Sequence, residues 1–187
     1  MTKITFLGDS IRMQYAPVVQ NLLGEGFESF SSGDNGRYSK YTMRCIYDHA
    51  GDMEGSDIVH WNNGLWDVGD IFGDGLFTPL EEYTDNMLRI ADQLLKKYKV
   101  VIFATTTPLK VGHCHARAEN VVRYNEALVP LLKERGVIIN DLFSLVAADI
   151  DRYICEDRIH LSDEGVALCA NAVAEVIRKA AEGLAGA

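Results

Sequence analysis

The stretch "ITFLGDSIRMQY" (residues 4–15) runs from apolar, β-prone residues through Gly8-Asp9-Ser10 into a segment with helical apolar spacing. Read as a strand, a tight turn and a helix, it opens an alternating α/β chain. Ser10 stands where that strand ends and that helix begins. It is then either a helix N-cap or a nucleophile held at the carboxyl edge of a sheet.

The same alternation continues outward. The segments "FESFSS", "SDIVHWNNG", "KVVIFATTTP" and "VIIND" read as four further strands, and the β-branched apolar run at 99–108 suits a central parallel strand. Helical spacing covers residues 13–25 and 117–136, a stripe of Leu80, Tyr83, Met87, Ile90, Leu94 and Leu95 marks a helix over about 79–98, and the terminal helix starts after Ser162. A short helix is expected over 41–50, after the turn-rich loop "SGDNGRYSKY". Strands alternating with helices predict a three-layer α/β sandwich around a five-stranded, mostly parallel sheet. With 187 residues and no linker or repeat, one domain over 1–187 is expected.

Composition narrows the function classes. A net charge of −9 argues against nucleic acid as a partner. No apolar run is long enough to span a membrane or to read as an export signal, so no membrane partner and a cytoplasmic location are expected. Cys45, Cys114, Cys155 and Cys169 show no CxxC spacing and are expected as reduced thiols. No GxGxxG or P-loop pattern appears, and no cofactor is expected. The "HCH" run at 113–115 lacks further ligands at suitable spacing, so no metal is expected either.

In such a sheet, reactive groups gather beyond the carboxyl ends of the strands. The loop "CEDRIHLSDEG" before the last helix carries Asp157 and His160, three apart. At that spacing in a turn, the carboxylate can reach the imidazole Nδ1–H and leave Nε2 to take a proton from a serine. None of His49, His60, His113 and His115 has that setting in a terminal polar loop.

"FLGDSI", "DIVHWNNGLWD" and "DRIHLSDEG", in this order, resemble the blocks of the SGNH (GDSL-type) hydrolase family. The ordinary esterase elbow GxSxG is absent. The resemblance implies a flavodoxin-like SGNH hydrolase fold and a serine esterase. Ser10 would be the nucleophile, His160 the base and Asp157 the orienting acid. The substrate implied is a small-molecule or carbohydrate ester with a small acyl group, acetyl being preferred. An acyltransferase with the same three residues, or a non-catalytic carbohydrate- or partner-binding module, is the alternative. Nothing in the sequence gives the oligomeric state.

The family's oxyanion hole uses the serine N–H, a glycine N–H from the second block and an asparagine side chain from the third. Ser10 matches the first. Gly36 is favoured for the second over Asn35 and Gly33. The third departs from pattern, because Trp66 stands where asparagine is expected in "GLWD". Asn63 is favoured over Asn62, which would point away if the strand ran regularly to that point. Arg12 is either a surface charge or a substrate contact. Arg37 and Trp66 are the other candidates for substrate binding, with Tyr38 and Tyr41 beside them.

Overall fold

The computed structural model describes residues 1–186. Its strands are β1 (Thr2–Leu7), β2 (Phe27–Ser31), β3 (Ile58–Trp61), β4 (Val100–Ala104) and β5 (Ile138–Asn140). They form one sheet in the order β2-β1-β3-β4-β5, and all four strand pairs are parallel. Parallel neighbours need a crossover, and the helices supply it: α1 (Ser10–Leu23), α2 (Ser39–Asp48), α3 (Leu80–Leu95) and α4 (Ala118–Glu134). The last part of the chain adds α5 (Leu142–Ala147), α6 (Ile150–Tyr153) and α7 (Asp163–Ala185). Among the described residues, no helix is long and apolar enough to cross a membrane.

The strand order sets the layers. The chain steps from β1 outward to β2, then returns past β1 to β3 and on to β5. With right-handed crossovers, this reversal puts α1 on one face and α2, α3 and α4 on the other. Helix packing agrees: α7 lies against α1, while α2, α3 and α4 touch in succession. The reversal also opens a crevice between the carboxyl ends of β1 and β3, the topological switch point of this fold.

Burial follows strand position. All four residues of the central strand β3 are buried, whereas edge strand β2 is half exposed along its length. Trp61 and Phe103 pack with ring centroids 4.9 Å apart between β3 and β4. His60 is also fully buried, between Tyr15 and Asn140.

Two local features differ from expectation. Helix α1 starts at Ser10, three residues before the helical spacing of the sequence begins, and runs through Pro17. Asp9 caps it, and Pro17 falls on an exposed position of the helix. Helices α5 and α6 carry no periodic signal because each is too short to show one. They are started locally, by Asp141 accepting from the Ser144 N–H and Asp149 from the Arg152 N–H.

Candidate active site

The site begins where β1 stops. Gly8 has φ +134°, and a Cβ there would lie 1.9 Å from Asn62 Oδ1, so only glycine can make this turn beside β3. Asp9 follows as N-cap, its Oδ1 accepting from the Ile11 N–H at 3.0 Å. Ser10 is the first residue of α1, so its own N–H has no acceptor inside the helix. The dipole of α1 adds partial positive charge at the same point.

The terminal loop brings the other two residues. His160 Nε2 lies 2.9 Å from Ser10 Oγ, and His160 Nδ1 lies 2.7 Å from Asp157 Oδ2. A tight turn makes this possible. Arg158 sits at φ +71°, and Asp157 Oδ1 accepts from the backbone N–H groups of Ile159 and His160 at 3.1 and 3.0 Å. Burial pushes the Asp157 carboxyl up, but the two backbone N–H groups and the His160 ring outweigh it and hold the carboxyl at about 2. It is therefore ionised wherever the histidine could need a counter-charge. The His160 and Asp157 side chains are 40% and 50% exposed, so the relay opens to solvent on one side.

One contributor had no sequence signal. Gln14, one turn beyond Ser10 on α1, donates through Nε2 to the Leu161 carbonyl at 3.0 Å and accepts from the Leu161 N–H at 3.1 Å. This pair ties the histidine loop to the serine helix. Only a contact across 147 residues reveals it.

The oxyanion donors differ from expectation. The Gly36 N–H donates to the Gly8 carbonyl at 2.8 Å, because the loop after β2 crosses directly over the end of β1. That donor is committed inside the chain. Asn63 is fully buried, and its Nδ2 donates to both the Arg37 carbonyl (3.0 Å) and Thr42 Oγ1 (2.9 Å), which uses both of its protons. Its carbonyl also accepts from Thr106 Oγ1 and the Tyr83 hydroxyl. Asn63 therefore ties the second-block loop to the third. The preceding residue lies against the turn that leads into Ser10: Asn62 leans over Gly8, with Nδ2 donating one proton to Asp9 Oδ1 at 2.7 Å. Strand β3 ends at Trp61, one residue before the amide pair, so alternation no longer governs which way Asn62 points.

Arg12 is not a substrate contact. It is 3% exposed, and its guanidinium donates to Ser31 Oγ (2.9 Å) and to the carbonyls of Ser32 (2.7 Å), Gly8 (3.2 Å) and Asp34 (2.5 Å). It clamps the second-block loop onto the end of β1. Arg37 is exposed at φ +48°, its guanidinium 4.6 Å above the Tyr41 ring. Trp66 is 42% exposed on the loop after β3. Arg37 also lies 3.8 Å from Asp34, so its charge is already paired within the second-block loop.

Two buried carboxyls flank the site. Burial pushes Asp9 up to about 6, against the pull of the Asn62 amide, the Ile11 N–H, Arg12 and His160. Burial also pushes Asp67 up to about 6. Asp67 accepts from the Ser39 backbone N–H (3.1 Å) and hydroxyl (2.7 Å), and so caps α2 from the third-block loop. The donor atoms of His113, Cys114 and His115 lie within 4.8 Å of one another. Cys114 Sγ is 3.0 Å from His115 Nδ1, and His113 Nδ1 already accepts from the Ala116 N–H at 3.2 Å.

Fold and site together define a flavodoxin-like α/β domain with a hydrogen-bonded serine, histidine and aspartate at its switch point. No family model matches the chain. A GDSL esterase/lipase of Arabidopsis thaliana is 32% identical over 123 residues, which is 58% of this chain and 48% of that protein. One of Oryza sativa subsp. japonica is also 32% identical over 123 residues, 58% of this chain and 47% of that protein. The chain thus spans about half the length of the curated relatives it matches. Among solved structures, an acetyl xylan esterase, AlAXEase, superposes with a TM-score of 0.78 at 21% identity, over 94% of this chain and 99% of that one. A lipase/acylhydrolase from Enterococcus faecalis gives 0.81 at 16% identity, over 96% of both chains. The acetylxylan esterase Axe2 of Geobacillus stearothermophilus gives 0.77 at 17%, over 92% of both. The chain is thus similar in sequence to GDSL esterase/lipases over part of their length and shares its fold with acetyl xylan esterases and an acylhydrolase.

Proposed function

We propose that this protein is a serine ester hydrolase that removes a small acyl group, acetyl in the first instance, from a carbohydrate or another small alcohol. One observation carries the reading: Ser10 Oγ, His160 Nε2, His160 Nδ1 and Asp157 Oδ2 lie in a hydrogen-bonded line at the N-terminus of α1.

His160 accepts the Ser10 proton as Oγ attacks the ester carbonyl, and Asp157 fixes the ring tautomer and offsets the imidazolium charge. The tetrahedral oxyanion is met by the Ser10 N–H and the α1 dipole, with the Asn62 amide as side-chain donor. The protonated His160 then delivers its proton to the leaving alcohol. Water attacks the acyl-Ser10 ester, loses a proton to His160, and releases the acid as Ser10 recovers its hydrogen. Every proton is returned, and the chain's own groups carry each step.

Two observations support a small acyl group on a bulky alcohol. The relay opens to solvent at His160 and Asp157, which leaves room for a large leaving group. Two of the solved structures that share the fold are acetyl xylan esterases by name. The test is a series of chromogenic esters from acetyl to octanoyl, run beside acetylated xylo-oligosaccharides. The expected result is kcat/KM highest for acetyl and falling with chain length, with acetate released from the oligosaccharides. Preference for octanoyl would overturn the acyl assignment. Loss of no activity in Ser10→Ala would overturn the mechanism.

A further inference from the structure

The residue before the proposed nucleophile carries a charge that its cap role does not require. A serine or asparagine would cap α1 equally well. Asp9 is instead a fully buried carboxylate, and its Oδ2 has no hydrogen-bond partner among the described residues. An unpaired buried oxygen of this kind costs stability. Its other oxygen, Oδ1, accepts from both the Ile11 N–H at 3.0 Å and Asn62 Nδ2 at 2.7 Å. Asn62 Oδ1 is likewise buried and unpartnered, facing Gly8. The Asn62 side chain thus has one strong fixed contact, and that contact is Asp9.

We infer that Asp9 is a positioning residue whose carboxylate holds the Asn62 amide beside Ser10 with nitrogen, rather than oxygen, toward the nucleophile's end of α1. This rests on the proposed role of Ser10. An ionised carboxylate accepts and never donates. Were the Asn62 amide turned over, its Oδ1 would face Asp9 Oδ1, oxygen against oxygen, in a buried site. Only one amide orientation is therefore compatible with ionised Asp9, and it is the orientation that offers a donor. A protonated Asp9 could donate to the turned amide, so the orientation is tied to the charge. The groups that act on that charge are Arg12, His160, Asp67, Tyr15 and Tyr83.

The test compares Asp9→Ser, Asp9→Asn, Asn62→Ala and the double variant Asp9→Ser/Asn62→Ala on a small acetyl ester at pH 8, with Tm for each. Serine at position 9 keeps a cap for α1 but is too short to reach Asn62. Removal of an oxyanion donor costs about 10² to 10³ in kcat. Asp9→Ser and Asn62→Ala should each lose kcat on that scale, with KM within about twofold. The double variant should be no more than about threefold slower than the slower single, because both remove one device. Asp9→Asn, which keeps an acceptor without the charge, should fall between the parent and Asp9→Ser while its Tm holds or rises. A merely structural Asp9 would instead lower Tm and leave kcat of the folded fraction unchanged.

Asp9→Ser with kcat within about twofold of the parent overturns the inference. So does a double variant whose loss is the product of the two singles. Should Asp9→Ser not fold, Asp9→Asn decides: a kcat equal to the parent's from pH 5 to pH 8 overturns it. Ser10→Ala, run alongside, separates the two readings. Full activity there removes the nucleophile itself, whereas its loss together with silent Asp9 variants removes only the positioning role.

Discussion

The molecule holds two Ser-His-Asp sets at the carboxyl edge of its sheet, and they are built differently. In the first, Ser10, His160 and Asp157 are linked at 2.9 and 2.7 Å. In the second, just past edge strand β2, Ser32 Oγ lies 3.0 Å from His49 Nε2, and His49 Nδ1 lies 3.5 Å from Asp52. Ser10 opens a helix, so its N–H is free and a dipole points at it. Ser32 opens none, and its hydroxyl accepts from the Asp34 N–H at 3.0 Å, which closes a local turn. Asp157 is gripped by two backbone N–H groups, while Asp52 reaches its histidine only at long range and is 59% exposed. What separates the two sets is the helix terminus under one serine and the backbone that fixes one carboxylate.

The hardest blow to this comparison pairs two alanine variants. Ser10→Ala should lose roughly three or more orders of magnitude in kcat/KM with Tm unchanged, since its side chain is only part-buried at the start of α1. Ser32→Ala should stay within about twofold of the parent. A fluorophosphonate should mark Ser10 alone, and peptide mapping that finds it on Ser32 breaks the contrast.

Asp157→Asn comes next. It keeps the size of the side chain but removes the charge and favours the wrong tautomer, so kcat should fall by about 10²-fold or more. Asp52→Asn should leave kcat unchanged. Equal losses in the two variants would mean that the grip of the backbone on Asp157 carries no weight.

A smaller loss is expected at Gln14. Gln14→Ala removes the reciprocal bonds to Leu161 and frees the histidine loop to shift against Ser10. A misplacement on the order of 1 Å can cost up to about 10²-fold, so a kcat loss of about tenfold is expected. Gln14→Glu keeps the acceptor for the Leu161 N–H and should recover part of the rate. Unchanged kcat in Gln14→Ala would show that the loop holds its place without the clamp.

The smallest effect concerns charge that the Ser32 set lacks. The Asp67 carboxyl is raised to about 6 by burial, above its value of about 3.9 in an unfolded chain. Between those values the folded state holds a proton that the unfolded state has lost. Stability from this group is therefore full below about pH 4 and is lost as pH rises through about 6. Asp67→Asn has no such loss. The Tm of Asp67→Asn minus that of the parent should rise by about 2 to 4 °C between pH 4.5 and pH 7.5. A flat difference would mean that Asp67 is not held protonated by its surroundings. Buried His60 works in the opposite sense. Burial lowers it to about 3, so its contribution is lost as pH falls from about 6.5 toward 3 and is present in both proteins.

Strand–helix alternation, the wholly apolar β4 and the turn at Gly8 were legible because they are local. A parallel sheet follows from the alternation, and a site at strand ends follows from a parallel sheet. Asp157 and His160 were legible for the same reason, since three residues in one turn set their meeting. Helices α5 and α6 were missed because a single turn of helix leaves no period to read.

The oxyanion donors were decided elsewhere. Which of two adjacent asparagines lies against the Gly8–Asp9 turn depends on where β3 ends against β1, and sequence alternation says nothing past that point. Gly36 and Asn63 are donors by composition, but the loop after β2 lies over Gly8 and Asn63 beneath that loop, so their protons are already engaged. Arg12 has the composition of a surface charge and is instead buried under the carbonyls of a loop about 20 residues away. Gln14 acquires a role only when Leu161 is brought against it. What the sequence by itself determined is which serine, histidine and aspartate meet and the sheet edge that carries them, because periodicity and short turns act over a few residues. Which donors stay free was left to the tertiary structure, because a hydrogen bond is satisfied by whatever the fold places within 3 Å, however far away it lies in the chain.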